Sequence, residues 1–238
     1  MATKNIATAI LNKDYSSLIG GLRQKLDVNS RTTYKKLDCT LLYIAVLMGE
    51  LEAVRLLLVA KADPNICASY HIAPLYVAVV KQRLDIVKLL CDYGADVDIQ
   101  TEHKETVLHA ALRKNDAKIV EYLLEKHCDM SGVGINTPMF IALAKNNKTM
   151  CRLLQLHGFN CNKVVDHCRN TLMHLCALYC PTSIPLAIEL NIDINKQNID
   201  GCTAGHLLKG DGKRMLALML INGLNPEIKN NCGDMCLQ

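Results

Sequence analysis

Tryptophan is absent from this 238-residue sequence, and phenylalanine occurs only twice. Platforms for single-stranded nucleic acid are built from aromatic rings, so that mode of binding is disfavoured. A large charge excess is missing too. The 27 Lys and Arg face 23 Asp and Glu, for a net charge of +4. A nucleic-acid binder of this size is usually far more basic. No apolar run approaches the ~20 residues of a membrane span. The longest, Leu41–Met48, has the length of a core helix. The N-terminal stretch lacks a long apolar segment followed by a small-residue cleavage site, so no signal peptide is expected.

What is present is apolar. Hydrophobic residues make up 50% of the chain, enough for a packed core and too many for wholesale disorder. The length fits one ordinary domain or an array of small units. There are twelve cysteines. In a reducing cytosol or nucleus, the expected location, thiols serve as small buried apolar side chains more often than as disulfides. Charge is unevenly spread. Residues 1–36 hold seven Lys or Arg and two Asp, a balance of +5. Three readings stand for this segment: a solvated cap, a docking arm for an acidic partner, and a mitochondrial presequence. The small number of arginines speaks against the last.

Self-comparison gives the architecture. One phrase recurs: Thr40-Leu-Leu-Tyr-Ile-Ala45, Ala73-Pro-Leu-Tyr-Val-Ala78, Thr106-Val-Leu-His-Ala-Ala111, Thr137-Pro-Met-Phe-Ile-Ala142, Thr171-Leu-Met-His-Leu-Cys176 and Thr203-Ala-Gly-His-Leu-Leu208. Successive copies are 33, 33, 31, 34 and 32 residues apart. A second phrase follows each of the first four: Ala53-Val-Arg-Leu-Leu-Leu58, Ile86-Val-Lys-Leu-Leu90, Ile119-Val-Glu-Tyr-Leu-Leu124 and Met150-Cys-Arg-Leu-Leu154. Apolar residues at i, i+3 and i+4 make one helical face. Stops such as Gly94-Ala-Asp-Val-Asp98 and Gly223-Leu-Asn-Pro226 suit left-handed C-caps. Each unit is thus a Thr-capped helix of about eight residues, a turn, a helix of about ten and an extended loop. One such pair cannot bury its own apolar face, whereas stacked neighbours can.

These phrases, in this order and at this period, resemble the ankyrin-repeat family, whose unit reads T-P-L-H-x-A, then I-V-x-L-L, then G-A-D-x-N. The resemblance implies an all-α solenoid of helix-turn-helix units with extended loops. Six repeats are placed at about 35–67, 68–100, 101–131, 132–165, 166–197 and 198–230. Residues 1–34 resemble a degenerate capping repeat, with Leu18, Leu22 and Leu26 on an outer helix and Asp27-Val-Asn29 as its closing phrase. Residues 231–238 resemble the opening loop of a truncated last unit. The family's Gly two residues before the Thr survives only as Gly201. Asp38, His71, Lys104, Ile135 and Arg169 replace it where φ > 0 is often wanted, so irregular tips are expected. The loop at Ser131–Asn136 is two residues short. Pro181 and Pro185 are expected to shorten or displace the second helix of the fifth repeat. Gly210 and Gly212 fall in the helix-to-helix turn of the sixth. Repeats one to three should be regular, and five and six distorted and less stable.

Chemistry is sparse. His157, Cys161, His167, Cys168, His174, Cys176 and Cys180 are zinc-type ligands close in sequence. The repeat register scatters them over helices, tips and stops, so no metal is expected. His109, His174 and His206 occupy the motif His, which the resemblance implies ties adjacent loops and helices together. No nucleophile motif, phosphate-binding glycine loop or carboxylate pair is recognised, so neither an enzyme nor a cofactor is expected. The resemblance also makes the closing Asn a candidate for hydroxylation, at Asn65, Asn162 and Asn195. The plainer role is a turn-forming Asn bonded to its own backbone.

Function is therefore expected to be protein recognition, with the isolated chain monomeric, no nucleic acid bound and no membrane insertion. In the resembled family, contacts come from loop tips and exposed first-helix ends on the concave side. Transferred to this sequence, these positions include Lys36, Leu37, Cys39, Leu47 and Met48, then Tyr70, Ile72, Val80 and Lys81. The third repeat supplies Glu102, His103, Glu105, Arg113 and Lys114, the fourth Val133, Gly134, Asn136, Ala144 and Lys145, and the fifth His167, Cys168, Asn170, Leu178 and Tyr179. Cys39, Cys168 and Cys202 are expected to be exposed. The apolar content of this set favours a partner surface centred on repeats one and two. The alternative is that these side chains tuck against neighbouring tips. Three partner classes are compatible. One is a Rel-type transcription factor held by a constitutive, virus-type inhibitor. Another is a ubiquitin ligase, although only eight residues follow the last repeat. The third is a membrane or cytoskeletal protein, although such linkers usually carry longer arrays.

Overall fold

The computed structural model describes residues 2–24, 27–208 and 212–236. The chain divides into two compact blocks, Met1–Cys128 and Asp129–Gln238. The first contains four helix pairs: α1 (Ala2–Leu11) with α2 (Tyr15–Arg23), α3 (Leu41–Met48) with α4 (Leu51–Val59), α5 (Pro74–Val80) with α6 (Leu84–Asp92), and α7 (Val107–Lys114) with α8 (Ala117–Glu125). The second contains α9 (Pro138–Ala144) with α10 (Lys148–Leu156), α11 (Leu172–Tyr179) with α12 (Ile184–Glu189), and α13 (Ala204–Leu207) with α14 (Lys213–Ile221).

Each pair forms for the reasons the repeat suggests. Thr40 caps α3 by accepting the Tyr43 N–H at 3.2 Å. Where the phrase starts Ala73-Pro or Thr137-Pro, proline occupies the first helical turn and no side-chain cap forms. The Thr137 hydroxyl instead donates to the Gly134 carbonyl at 2.7 Å. Second helices stop where a residue turns left-handed, at Lys61, Gly94, His127, Gly158, Asn191 and Gly223. The core of the first block is made of fully buried Leu41, Leu42, Ile44, Leu57, Leu75, Ile86, Leu90 and Leu108. Helices α3, α5, α7, α9 and α11 are largely buried, while α4, α6, α8 and α10 each keep one exposed side.

The N-terminal region is more complete than the sequence suggests. It is a full helix pair, with Ile6, Ala7, Ala9 and Ile10 of α1 buried. Asp14 caps α2, on which Leu18 is buried. Leu26 lies outside the described residues. The later distortions are real. In the fifth repeat Pro181–Ser183 is a 3₁₀ turn and α12 keeps six residues. In the sixth it is the first helix, α13, that is cut to four residues. Gly212 leads into α14, and Gly210 lies outside the described residues.

Three of the tips keep the left-handed conformation without glycine. His71, Lys104 and Arg169 have φ of 53°, 59° or 60° at the expected position, a conformation that disfavours a side chain. In the first repeat the position moves. β1 (Arg31–Tyr34) and β2 (Leu37–Thr40) pair antiparallel with Tyr34 opposite Leu37, so Lys35 and Lys36 form the two-residue turn. Both have φ > 0, at 48° and 70°, as a type I′ hairpin requires. In the fourth repeat Gly134 (φ 57°) takes the role, not Ile135. The end of the chain also turns like a tip: Lys229 bridges Met235.

Candidate interaction face

The three motif histidines are committed to structure. At Thr106, Thr171 and Thr203 the backbone N–H donates to the motif His Nδ1, at 3.3, 3.1 and 3.1 Å. Nδ1 is therefore the acceptor, and Nε2 carries the proton. That proton is donated one repeat forward: His174 Nε2 to the Cys202 carbonyl at 2.9 Å, and His206 Nε2 to the Asp234 carbonyl at 3.1 Å. With both ring nitrogens engaged, His174 cannot ligate a metal in this conformation. Among the described residues no group of three His, Cys, Asp or Glu is placed to hold one.

The closing asparagines overturn one expectation. Their side chains do not bond their own backbone. The Asn65 side-chain oxygen accepts the Asp96 N–H at 2.8 Å, and its amide donates to the Gly94 carbonyl at 3.0 Å. Asn195 repeats this with Asn225 N–H (2.7 Å) and Gly223 carbonyl (2.8 Å). Asn29 and Asn162 accept from Asp63 and Asp193, both at 2.8 Å. The turn itself is held by the residue two positions earlier, as when Asp63 accepts the Asn65 N–H at 2.8 Å. The short polar side chain thus spans repeats because its own turn is already satisfied.

The cysteines divide by environment. Cys39 is buried, contrary to its expected exposure, because its strand folds back over α3; Cys168 and Cys202 are half-buried. In the second block the Cys176 thiol donates to Cys180. This bond, with burial added, pushes Cys176 up; the same bond, against the opposing effect of burial, holds Cys180 down at about 7. Burial pushes Cys151 up to about 12.

The proposed contact residues fall into two groups in the first block. Leu37, Leu47, Ile72 and Val80 are half-buried. Met48 and Tyr70 stand out, 42% and 64% exposed. Tyr70 is itself left-handed (φ 64°) within the turn Ser69–His71, which lifts its ring off the core. The Tyr34 hydroxyl lies 3.8 Å from the Met48 sulfur, so the first hairpin and the end of α3 share one face. Sequence reasoning passed over Tyr34 and Lys35. Their signal was two β-prone stretches, Arg31–Tyr34 and Leu37–Thr40, separated by two residues. His103 is exposed in the third tip. Arg113 is not free: it lies 3.3 Å from Glu105, which also accepts the Tyr76 hydroxyl at 3.0 Å. Burial first, then Glu105, pushes Tyr76 up to about 12.

In the second block Leu178 and Tyr179 end α11, 42% and 64% exposed. The Tyr179 ring meets Phe140 edge-on, with centroids 6.3 Å apart. Val133 and Ile135, in the shortened fourth loop, are 68% and 53% exposed.

Comparison with known proteins agrees with this architecture. A family model described as "Ankyrin repeats (3 copies)" matches residues 6–101, 42–133 and 108–198. A search of curated protein sequences finds no match. Among solved structures the chain is similar to the crystal structure of the human ASB11 ankyrin repeat domain. The TM-score is 0.67 at 20% identity, covering 82% of this chain and 89% of that one. At that identity the likeness speaks for the fold alone. The repeated phrases, the stacked helix pairs and a family match running from residue 6 to residue 198 together place this chain in the ankyrin-repeat family.

Proposed function

We propose that this chain is a non-enzymatic protein-binding module that grips a partner with the tips and first-helix ends of its first two repeats, and so masks or recruits it. Ankyrin repeats generally mediate protein–protein interaction. The observation that carries the specific reading is the exposure of Met48, where hairpin and helix end converge, and of Tyr70 in the next tip, whose Ser69 hydroxyl accepts the Asp38 N–H of the hairpin at 3.2 Å. A thioether and an aromatic ring in water are typical of interface anchors. The half-buried Leu37, Leu47, Ile72 and Val80 supply an apolar surround that would lose its remaining water on binding. The use of His174 and His206 as ties between repeats supports a non-catalytic role. Six of the twelve cysteines are buried as small apolar side chains, which supports a reducing compartment, cytoplasm or nucleus.

The test is affinity capture with mass spectrometry, comparing the intact chain with a Met48→Glu, Tyr70→Ala variant. Both positions are exposed, so the variant should melt like the parent. A stoichiometric partner lost from the folded variant is the expected result. A partner retained undiminished overturns the assignment of this face.

A further inference from the structure

The apolar anchors of the first block share their side with lysines that are not held in ion pairs among the described residues. The carboxylates on this side are already engaged. Asp38 holds Arg31 at 2.6 Å, Glu50 holds Lys13 at 3.0 Å, Asp85 holds Arg83 at 2.7 Å and Glu105 holds Arg113 at 3.3 Å. Asp116 caps α8 by accepting the Ile119 N–H at 3.1 Å. Lys36, Lys81, Lys104 and Lys114 are all exposed and, among the described residues, take part in no ion pair, and Lys35 lies over the Tyr34 ring at 5.4 Å. Among the described residues, Glu102 is the tip carboxylate of this block left over to oppose them.

The fold sets these charges in a row. Met48, Lys81 and Lys114 occupy equivalent positions, eight residues after Thr40, Ala73 and Thr106. Arg83 donates to the Gly49 carbonyl at 2.7 Å, and Gln82 donates to the Lys114 carbonyl at 3.3 Å. These bonds hold the ends of α3, α5 and α7 side by side. Packed helices stand about 10 Å apart, so the row from Met48 to Lys114 is about 20 Å long. An extended chain advances about 3.3 Å per residue. One repeat therefore corresponds to about three residues of an extended ligand.

We propose that this row binds an acidic, extended polypeptide segment of the partner. A large apolar side chain of that segment sits between Met48 and Tyr70. Carboxylates about three residues apart then meet Lys81 and Lys114, with Lys36 and Lys104 flanking from the tips. Nucleic acid fits less well. Its phosphates recur about every 3.4 Å along a strand, whereas this row sets Lys81 and Lys114 one helix spacing, about 10 Å, apart, with the apolar Met48 where a third cation would stand. The inference rests on the proposed function and adds the chemistry of the ligand.

The experiment selects a phage-displayed library of random twelve-residue peptides on the full chain and repeats the selection on a Lys81→Gln, Lys114→Gln variant. The expected result is enrichment of Asp or Glu three residues apart, preceded by a large apolar residue. The synthetic winner should bind the variant at least tenfold more weakly, and its Asn-for-Asp counterpart should bind the intact chain at least tenfold more weakly. A Lys61→Gln, Lys88→Gln control, whose lysines lie off this row, should bind like the parent. Selection without acidic enrichment overturns the proposal, as does equal binding by the double variant. Tighter binding of a single-stranded DNA oligomer than of the winning peptide assigns the row to nucleic acid and also overturns it. Captured partner that survives the lysine changes but is lost with Met48→Glu, Tyr70→Ala would leave the face standing and remove only its acidic ligand.

Discussion

At the scale of the residue, His174 ties local capping to contact between repeats. Its Nδ1 accepts from Thr171 at 3.1 Å and its Nε2–H donates to Cys202 at 2.9 Å, an arrangement open only to the neutral ring. Burial holds its pKa below the ordinary 6.5. The unfolded chain therefore takes up a proton near pH 6.5 that the folded chain still refuses. Stability from this residue is complete above that pH and is lost as pH falls from about 6.5 toward the folded-state value. Urea unfolding at pH 7.5, 6.5 and 5.5 should show a larger loss for the parent than for His174→Gln, whose side chain does not titrate. Parallel curves for the two proteins would refute this. The same ring illustrates what the sequence makes plain and what it hides. The Thr-x-x-His phrase announces the cap, but only the structure supplies the carbonyl that lies 28 residues further on.

At the scale of the element, the junction between repeats is a polar seam laid over an apolar one. Asn195 contributes two bonds to it, to the Asn225 N–H and the Gly223 carbonyl. Each is worth about 0.5–1.5 kcal/mol net, less where water competes. Asn195→Ala should cost about 1 kcal/mol in chemical denaturation, and a cost indistinguishable from zero would show that solvent replaces both bonds. Much of the element order was legible beforehand, because the first-helix phrase recurs six times at a near-constant period and the second-helix phrase four times. Helix α1 was not, since it lacks the Thr-led phrase and identifies itself only by burying Ile6 and Ile10. The type I′ hairpin was missed because Lys35-Lys36 carries none of the usual Asn-Gly chemistry. The candidate face was legible as a set of positions. Which of its side chains tuck in, like Leu47, and which stand out, like Met48, depends on neighbours distant in sequence.

At the scale of the whole molecule, stability in a stacked array is close to a sum of each repeat's own contribution and its contacts with neighbours. The second and third repeats carry helices of seven to nine residues, whereas α12 has six and α13 four. Local opening should follow that order. Hydrogen exchange read by mass spectrometry should show α12 and α13 exchanging well before α5 to α8, and uniform protection along the chain would contradict it. The Asn couplings reach forward by one period: Asn29 to Asp63, Asn65 to Asp96, Asn162 to Asp193 and Asn195 to Asn225. If 33 residues, one full period, were excised, Asn29 would meet Asp96 in place of Asp63, an identical acceptor facing an identical donor. A lineage can therefore gain or shed whole repeats with the joints ready-made. Each such event moves a lysine relative to an apolar anchor by one helix spacing, so ancestry can rewrite what this face recognises in discrete steps while leaving untouched the grammar by which it folds.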